Sequence, residues 1–347
     1  MGAMIAARFY APNQPLKLEH VPIPEVGPED ILVEVKACGI CGTDVHIVKG
    51  ERVAGKTPII LGHESSGIIA CVGEAISNWS EGDRVVINCV TSCGNCFNCL
   101  KGRDSICLNR TFTGIHSDGA LAQYVRVKPR NLIALPKEIS FEQGALSTDA
   151  VATPYHAIKN RANLQLAESI AIFGVGGIGT HAVKISKLAG AHPVVAVDIS
   201  ERALERAVAS GADEIVNAQR EDPVKAILEM TGEQGVDVAL ECVGQKQTVL
   251  WAAGSVRSGG RVVVVGQGPE SVQLMDLTEF VRKEIVVMGS SASSSMEIKE
   301  ILSLLTSRRL DLSSSITRTI SLEQINEALT ELSQNPDNFI RIVVTKF

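Results

Sequence analysis

Aromatic residues and long apolar runs are scarce in this chain of 347 residues. Phe, Trp and Tyr together supply only 4% of it, so a core must be filled mainly by the Val, Ile, Leu and Ala within an apolar total of 45%. No apolar run approaches the ~18 residues of a membrane-spanning helix, which argues against a membrane protein. The first residues lack a basic segment followed by an apolar one, so no secretory signal is expected.

Clusters of basic residues are also missing. No block of Lys or Arg interrupts the sequence, and the formal net charge is −6 with a pI near 5.7. A nucleic-acid partner or an anionic membrane surface therefore has no electrostatic basis. Together these absences predict a globular, cytoplasmic protein.

Cysteine, in contrast, is abundant and concentrated. The chain has nine cysteines, and four of them fall within CGNCFNCLKGRDSIC, residues 93–107. An odd total in a reducing compartment argues against a disulfide framework. The spacing of Cys93, Cys96, Cys99 and Cys107 suits a tetrahedral Zn²⁺ with four thiolate ligands, whereas a redox CxxC pair would need only two cysteines. Such a closed site predicts a structural zinc that holds a loop, so any chemistry must lie elsewhere.

The pattern of apolar residues changes near residue 152. Before it, short Val- and Ile-rich runs such as DILVEVKACGI are separated by turn residues and predict a β-rich region. After it, apolar strands alternate with helical segments, which predicts a parallel sheet buried on both faces. The serine-rich segment SSASSSMEI predicts a loop that ends in a helix cap formed by Ser294 and Glu297. The predicted fold class is therefore α/β with two domains.

A glycine-rich turn follows the first strand of the second region. The stretch GVGGIG, with Gly174, Gly176, Gly177 and Gly179, lies between an apolar strand and a helix, and Asp198 ends the next strand. Glycines permit a tight turn and a close approach of the backbone to a pyrophosphate, which the helix N-terminus attracts. Asp198 would accept both ribose hydroxyls and repel a 2′-phosphate, which favours NAD over NADP. A turn of this kind that holds no ligand is the alternative.

A second set of metal-binding residue types lies in the β-rich region. CGICGTDVH places Cys41, Thr43 and His46 close together, and LGHESSG places His63 and Glu64 at the start of another strand. A thiolate and an imidazole are good ligands for zinc, and a catalytic zinc keeps three protein ligands and one open position. Taken singly, each residue is equally consistent with an ordinary buried or surface position.

The order of these motifs resembles one known family. GHE at 62–64, GDRV at 82–85, the four-cysteine segment and GVGGIG follow one another as in the zinc-dependent medium-chain alcohol dehydrogenases. The resemblance spans essentially the whole chain. It implies a GroES-like catalytic domain over residues 1–152, to which residues 292–347 return, and an NAD-binding Rossmann domain over residues 153–291.

The resemblance also implies roles in a metal site. Cys41 and His63 match two ligands of a catalytic zinc, and Asp149 takes the third position, where liver-type enzymes have Cys. Zn²⁺ with a thiolate, an imidazole and a carboxylate is formally neutral, and the harder carboxylate keeps it a strong Lewis acid. Glu64 either binds the same ion or stands beside it, and Asp44 is expected to orient the imidazole. Two zinc ions per subunit are expected, one catalytic and one structural.

A proton path and further cofactor contacts are expected as well. The resemblance implies that Thr43 takes the proton of the alcohol and that His46 passes it on through the ribose hydroxyls, a task that suits an imidazole. Val243 and Gly266 follow strands of the parallel sheet at its carboxyl edge, where cofactors lie in doubly wound folds. Arg341 matches a family arginine that contacts the pyrophosphate, with a plain surface arginine as the alternative.

The expected activity is hydride transfer between NAD and an alcohol, small and aliphatic or secondary. A polyol, sugar or threonine dehydrogenase of the same family is an alternative. Zinc-free enone and quinone reductases share the fold but lack this ligand set. An alternative of another class is a non-catalytic dinucleotide-binding protein with structural zinc only. The family forms dimers and tetramers, so a homodimer or homotetramer is expected, with EIVVMG as a plausible edge strand for assembly.

Overall fold

The structure, a computed structural model, describes residues 2–347. Within it the chain divides into two compact units. Residues up to Ala152 together with Ala292–Phe347 form the first unit, and Thr153–Ser291 form the second. No helix in residues 2–347 combines the length and the apolar character needed to cross a bilayer.

Residues 2–347 contain eighteen strands and eleven α-helices. The strands are β1 (Ala3–Phe9), β2 (Lys17–Pro22), β3 (Ile31–Ile40), β4 (Ile59–Ile60), β5 (Glu64–Val72), β6 (Arg84–Ile87), β7 (Val90–Thr91), β8 (Thr111–Phe112), β9 (Tyr124–Val127), β10 (Leu132–Ala134), β11 (Ile170–Phe173), β12 (Val194–Asp198), β13 (Glu214–Asn217), β14 (Val236–Glu241), β15 (Val256–Val264), β16 (Val286–Gly289), β17 (Ile316–Ser321) and β18 (Arg341–Lys346). The helices are α1 (Gly42–Lys49), α2 (Phe97–Leu100), α3 (Phe141–Leu146), α4 (Ala152–His156), α5 (Gly179–Leu188), α6 (Glu201–Ala209), α7 (Pro223–Met230), α8 (Lys246–Ser255), α9 (Leu277–Lys283), α10 (Ser295–Thr306) and α11 (Ile325–Gln334).

The first unit is built on a largely antiparallel sheet of seven strands. Six of them have the order β10-β6-β5-β3-β18-β17, and β9 also pairs with β3. A three-stranded sheet, β2-β1-β4, and the pair β7-β8 complete the strands of this unit. One apolar core joins the main sheets and includes Met4, Ile31 and Ile342. Because one face of β9 enters this core, its buried Val125 and Val127 alternate with the exposed Arg126.

The end of the chain completes the sheet of the first unit. Strand β18 pairs antiparallel with β3, with Val343 opposite Gly39, and parallel with β17. Gly39 also lies opposite Glu64 on β5, so β3 stands between the two strands. This pairing explains why the segment after residue 292 belongs to the first unit, and it brings the start of β18 near the start of β5.

The second unit contains a parallel sheet with the strand order β13-β12-β11-β14-β15-β16. All four residues of β11 are buried, as expected for a strand covered by helices on both faces. The strand order reverses between β11 and β14, which is where doubly wound sheets bind ligands, beyond the carboxyl ends of the strands. This sheet and the β-rich first unit confirm the predicted α/β class.

Helix α10 begins at the cap expected from the sequence. The Oγ of Ser294 accepts the backbone N–H of Glu297 at 3.3 Å, and the carboxylate of Glu297 accepts the backbone N–H of Ser294 at 2.6 Å. This reciprocal pair satisfies two amides that a helix start leaves without partners. The serine-rich segment before it is therefore an ordered lead into a helix.

Candidate metal and cofactor sites

The four cysteines of residues 93–107 converge on one point of the first unit. Their sulfur atoms all lie within 4.8 Å of one another. The Sγ–Sγ distances are 3.4 Å for Cys93–Cys107, 3.5 Å for Cys96–Cys99 and 3.9 Å for Cys96–Cys107. A disulfide would need about 2.05 Å. The observed values match the ~3.8 Å edge of a tetrahedron built from Zn–S bonds of about 2.3 Å.

Backbone amides favour the thiolate form of Cys93 and Cys96 in this cluster by lowering the pKa of each thiol. The Sγ of Cys107 accepts the backbone N–H of Cys93 at 3.3 Å. Hydrogen bonds from the backbone of Leu108 and Cys99 lower the pKa of Cys96 to about 6. Thiolates are the form that binds zinc, so the donor set fits this ion. Four cysteine ligands leave no position for a substrate, which suits a structural role.

A second cluster unites residues that are far apart in the sequence. Cys41 links β3 to α1, His63 and Glu64 stand at the start of β5, and Asp149 follows α3. Their four ligand atoms lie within 4.8 Å of one another. Oδ2 of Asp149 lies 3.7 Å from Sγ of Cys41 and 3.6 Å from Nε2 of His63. Separations of this size fit ligands that share a zinc ion at bond lengths of about 2.0–2.3 Å.

Burial makes this second cluster a site for a cation. Cys41, His63 and Glu64 are at most 7% exposed. Neither carboxylate oxygen of Glu64 accepts a hydrogen bond from residues 2–347. Removal from water raises the pKa of this carboxyl to about 8, even though the nearby charge of Arg341 acts to lower it, because a buried anion is costly. A divalent ion fits the set, since it would compensate the thiolate and carboxylates at once.

Asp44 lies beside the Nδ1 edge of the His63 imidazole, on the side of the ring away from the cluster. It is fully buried in the first turn of α1. One of its oxygens accepts the backbone N–H of Cys41 at 2.9 Å, and the other lies 3.5 Å from Nδ1 of His63. Nε2 of His63 therefore faces Asp149. A carboxylate in this position fixes the ring orientation of a metal ligand.

Arg341, for which a cofactor contact was predicted, lies buried in the first unit beside Glu64. Its Nη2 is 3.1 Å from Oε1 of Glu64, and its Nη1 donates to the carbonyl of Ile40 at 3.2 Å. Burial has the largest effect and opposes the charged form of this arginine, but the negative charges of Glu64, Cys41 and Asp149 together raise its pKa. The pyrophosphate contact stays a prediction. The observed pairing places a positive charge against a buried carboxyl of the metal cluster.

Thr43 and His46 lie one turn apart on α1. Their spacing puts both on the same side of the helix, whereas Asp44, Val45 and Ile47 are buried. Thr43 is half-buried, whereas the side chain of His46 is 58% exposed and its Nδ1 lies 2.5 Å from Oε2 of Glu51. The face thus runs from the metal-binding end of the helix towards solvent, which suits a path for protons.

The glycine-rich turn of the second unit has the geometry that its residues predict. Gly174 directly follows β11 and has φ +83°, a backbone region that glycine favours. A Cβ on Gly179 would lie 1.9 Å from the carbonyl oxygen of Gly174, so α5 can approach the turn only without a side chain there. A Cβ on Gly176 would meet nothing within 4 Å, and Gly177 follows it. The space beside Gly176 adjoins the N-terminus of α5, where backbone amides attract phosphates.

Asp198, the last residue of β12, is fixed beside this turn. Its Oδ2 accepts the backbone N–H of Val175 at 2.8 Å. Its Oδ1 accepts the backbone N–H of Ile199 at 2.7 Å and that of Ser200 at 3.0 Å. A carboxylate held in this way at the end of the second strand is where a ribose hydroxyl binds in dinucleotide-binding folds.

Val243 and Gly266 lie at the same edge of the parallel sheet. A Cβ on Gly174 would stand 2.4 Å from Cγ2 of Val243, so the two turns are in close contact. A Cβ on Gly266 would stand 2.0 Å from the backbone nitrogen of Gly244. Both predicted cofactor residues therefore adjoin the loops at the carboxyl ends of the strands.

Two residues that the sequence did not single out stand next to predicted ones. Oε1 of the buried Glu241 accepts the backbone N–H of Val243 and of Gly244, each at 2.8 Å, and so shapes their turn. Nη1 of Arg52 donates to Oγ1 of Thr43 at 3.4 Å. In the sequence, Glu241 could have been noticed as a lone carboxylate at the end of an apolar strand. Arg52 could have been noticed as a cation that closely follows the glycine at the end of α1.

Two family profiles match separate parts of the chain. Residues 27–137 match the family described as alcohol dehydrogenase GroES-like domain. Residues 177–307 match the family described as zinc-binding dehydrogenase. The first match lies within the unit that holds both metal-binding clusters, and the second begins in the glycine-rich turn.

Full-length relatives agree with these matches. A sorbitol dehydrogenase of Bacillus subtilis (strain 168) is 32% identical over 95% of this chain and 94% of its own length. An NAD-dependent alcohol dehydrogenase of Sulfurisphaera tokodaii is 31% identical over 95% of this chain and 96% of its own. Among solved structures, a zinc-binding dehydrogenase of Sinorhizobium meliloti 1021 bound to NADP superposes with a TM-score of 0.91 at 31% identity, covering 99% of this chain and 100% of the other. The chain belongs to the zinc-dependent medium-chain alcohol dehydrogenase family.

Proposed function

We propose that this protein is a zinc-dependent dehydrogenase that transfers a hydride between an alcohol and NAD, giving an aldehyde or ketone. The observation that carries the proposal is the buried cluster of Cys41, His63, Glu64 and Asp149, whose ligand atoms lie within 4.8 Å of one another. The same chain has a glycine-rich turn with open space beside Gly176. A Lewis acid and a hydride acceptor are the two components that such a reaction needs.

Cys41, His63 and Asp149 are the residues that would hold the catalytic zinc, which when bound supplies a Lewis acid to the substrate oxygen. The chain's own residues move the proton. The hydroxyl of Thr43 accepts the proton of the alcohol on Oγ1 and releases its own proton towards His46. His46, on the same face of α1 and exposed, passes a proton to solvent. Glu51, 2.5 Å from Nδ1 of His46, stabilises the imidazole when it is charged.

NAD is the proposed hydride acceptor because of Asp198. Its carboxylate is held beside the turn by three backbone amides and presents negative charge where the adenine ribose binds. A 2′-phosphate would be repelled there. Since the related Sinorhizobium meliloti structure contains NADP, selectivity has to be measured with both dinucleotides.

Small aliphatic or secondary alcohols are the proposed substrates. The relative named sorbitol dehydrogenase, 32% identical over nearly the whole chain, supports a polyol as the second candidate. Both are tested by the formation of NADH from a panel of short primary alcohols, secondary alcohols and polyols with the zinc-loaded full-length protein. The matched control is the same protein after chelation and dialysis.

The panel also tests the non-catalytic alternative. NADH formation that depends on zinc and is lost in Asp149→Ala, but not in a variant of the exposed carboxylate, Glu74→Ala, is the expected result. Binding of NADH without oxidation of any alcohol, or reduction of any ketone or aldehyde, would instead leave a dinucleotide-binding protein with structural zinc only.

A homodimer or homotetramer is proposed through the edge strand β16. Its Val286 is exposed, and the nearby α9 exposes Leu277 and Val281, three large apolar side chains on the second unit. An unpaired strand edge with apolar neighbours is a site for pairing with a second copy. Light scattering should show a dimer or larger assembly that Val286→Asp weakens and that Val53→Asp, in an exposed loop, leaves intact.

A further inference from the structure

Arg52 lies in the segment that folds back over the end of α1. Gly50 adopts φ +77° and ends the helix. The backbone N–H groups of Glu51 and Arg52 then donate to the carbonyl of His46 at 2.9 and 3.1 Å. These bonds reverse the chain direction, so the side chain of Arg52 returns along the helix face that carries Thr43. Hydrogen bonds to the backbone of α1 therefore set the position of Arg52.

The guanidinium of Arg52 reaches the proposed proton acceptor. Its Nη1 donates to Oγ1 of Thr43 at 3.4 Å, and the residue is half-buried. A substrate whose hydroxyl contacts Thr43 therefore has a cation beside it. Since a guanidinium presents several donors in one plane, it can keep this bond and bind a further acceptor.

Arg52 differs from the neighbouring Lys56 in having no acid partner among the described residues. Lys56 pairs with Asp118 at 2.8 Å, and the carboxylate of Glu51 lies 2.5 Å from Nδ1 of His46. No carboxylate oxygen in residues 2–347 lies within ion-pair distance of Arg52. A half-buried guanidinium without an acid partner is an available site for an anion.

A second guanidinium strengthens the positive potential. Burial, and then the charges of Arg52 and Arg110, lower the pKa of His116. Both cations therefore act on the same imidazole, whose ring stacks at 5.6 Å on Phe112. Arg110 thus adds a second positive charge near the imidazole on which Arg52 acts.

We propose that Arg52 selects an alcohol that carries an anionic group, a carboxylate or a phosphate, a few bonds from the carbon that is oxidised. The inference rests on the proposed function, because it uses Thr43 to locate the substrate hydroxyl. Arg52 binds the anion through charge-assisted hydrogen bonds while Thr43 contacts the hydroxyl. A small hydroxy acid or a phosphorylated polyol has both groups at the required separation, and a simple aliphatic alcohol lacks the anion.

Matched pairs of alcohols test this proposal. The probes are 3-hydroxybutyrate against its methyl ester, and glycerol 3-phosphate against glycerol, each with NAD and the zinc-loaded full-length protein. We expect kcat/KM to favour the anionic member of at least one pair by about 10- to 100-fold, the usual value of a hydrogen bond to a charged group. The pair that responds identifies carboxylate or phosphate as the preferred group.

Variants assign that preference to Arg52. The ratio of kcat/KM for the anionic and neutral members should fall about 10- to 100-fold in Arg52→Gln and less in Arg52→Lys, which keeps the charge. Lys56→Gln is the matched control, since it removes a nearby cation that already has an acid partner. A wild-type ratio near one in both pairs, or a ratio that Arg52→Gln leaves unchanged, would overturn the proposal.

Calorimetric titration separates this inference from the proposed function. If no alcohol is oxidised, the proposed function fails, and binding of 3-hydroxybutyrate and glycerol 3-phosphate to the wild type and to Arg52→Gln still decides the anion site. Anion binding that weakens about 10-fold or more in the variant supports it. Equal affinities for the wild type and the variant, or equal affinities for acid and ester, overturn it.

Discussion

Arg341 and Glu64 form a buried ion pair across the central strand of the first unit, with Nη2 and Oε1 3.1 Å apart. They lie on β18 and β5, which flank β3. The pair fits because Gly39 on β3 has no side chain: a Cβ there would stand 2.3 Å from Oε2 of Glu64. Strand β18, the last of the chain, thus places a positive charge beside the metal cluster.

Breaking this pair should destabilise the protein. Arg341→Met leaves Glu64 buried without its cation, which typically costs about 3–5 kcal/mol. Urea unfolding should show the loss, and Glu64→Gln added to Arg341→Met should recover part of it. The exposed Arg126→Met is the control and should change stability by under ~1 kcal/mol. An equal stability of Arg341→Met and wild type would refute the structural role.

A weaker affinity of Arg341→Met for NADH would support the predicted cofactor contact.

Asp149→Ala should lower the zinc content from about two ions per chain to about one, because a site with three protein ligands would lose one of them. Elemental mass spectrometry on the purified protein measures this directly. Asp149→Cys, which supplies a thiolate instead, should keep the second ion. A wild type with about one zinc, or Asp149→Ala with about two, would remove Asp149 from the ligand set.

Thr43→Val should reduce kcat by about 10²- to 10⁴-fold, the usual contribution of a positioned acid–base group. The substitution nearly preserves shape, so the zinc content and the melting temperature serve as controls for folding. Thr43→Ser keeps the hydroxyl and should stay within about tenfold of wild type. Steady-state rates of Thr43→Val close to those of wild type would show that another group accepts the proton.

His46→Gln should slow alcohol oxidation most at low pH, where proton release to solvent limits the rate. Small buffer bases added at high concentration should restore part of the rate, because they can take the proton directly. His20→Gln, at an exposed position of β2, is the control. The assignment would not survive a pH–rate profile that is the same in His46→Gln and wild type.

Asp198→Ala should shift dinucleotide preference towards NADP. The variant loses the acceptor for the ribose hydroxyls, so kcat/KM for NAD should fall about 10- to 100-fold, and the repulsion of a 2′-phosphate disappears. Asp222→Ala, which removes the cap of α7, controls for general destabilisation. An unchanged ratio of kcat/KM for NAD and NADP in Asp198→Ala would mean that other residues select the cofactor.

Features encoded by short stretches of sequence could be predicted before the structure. The four cysteines lie within residues 93–107, and their convergence needs only the local turns around α2. Gly174 and Gly179 meet because the chain turns tightly between β11 and α5. Ser294 and Glu297 cap α10 through bonds across three residues. In each case the backbone between the partners is short, so few arrangements compete.

Features that join distant segments were decided by tertiary structure. Residue type and spacing alone marked Cys41 and His63 as metal-binding candidates, but Asp149 came only from the family resemblance, because its approach depends on how α3 packs on the sheet. The burial of Arg341 depends on the register of β18 beside β3. Arg52 reaches Thr43 only because Gly50 ends α1 and reverses the chain. The sequence by itself therefore determined the fold class and the local ligand motifs. Strand register and the packing of α3, which depend on the whole unit, decided which charges surround the metal cluster.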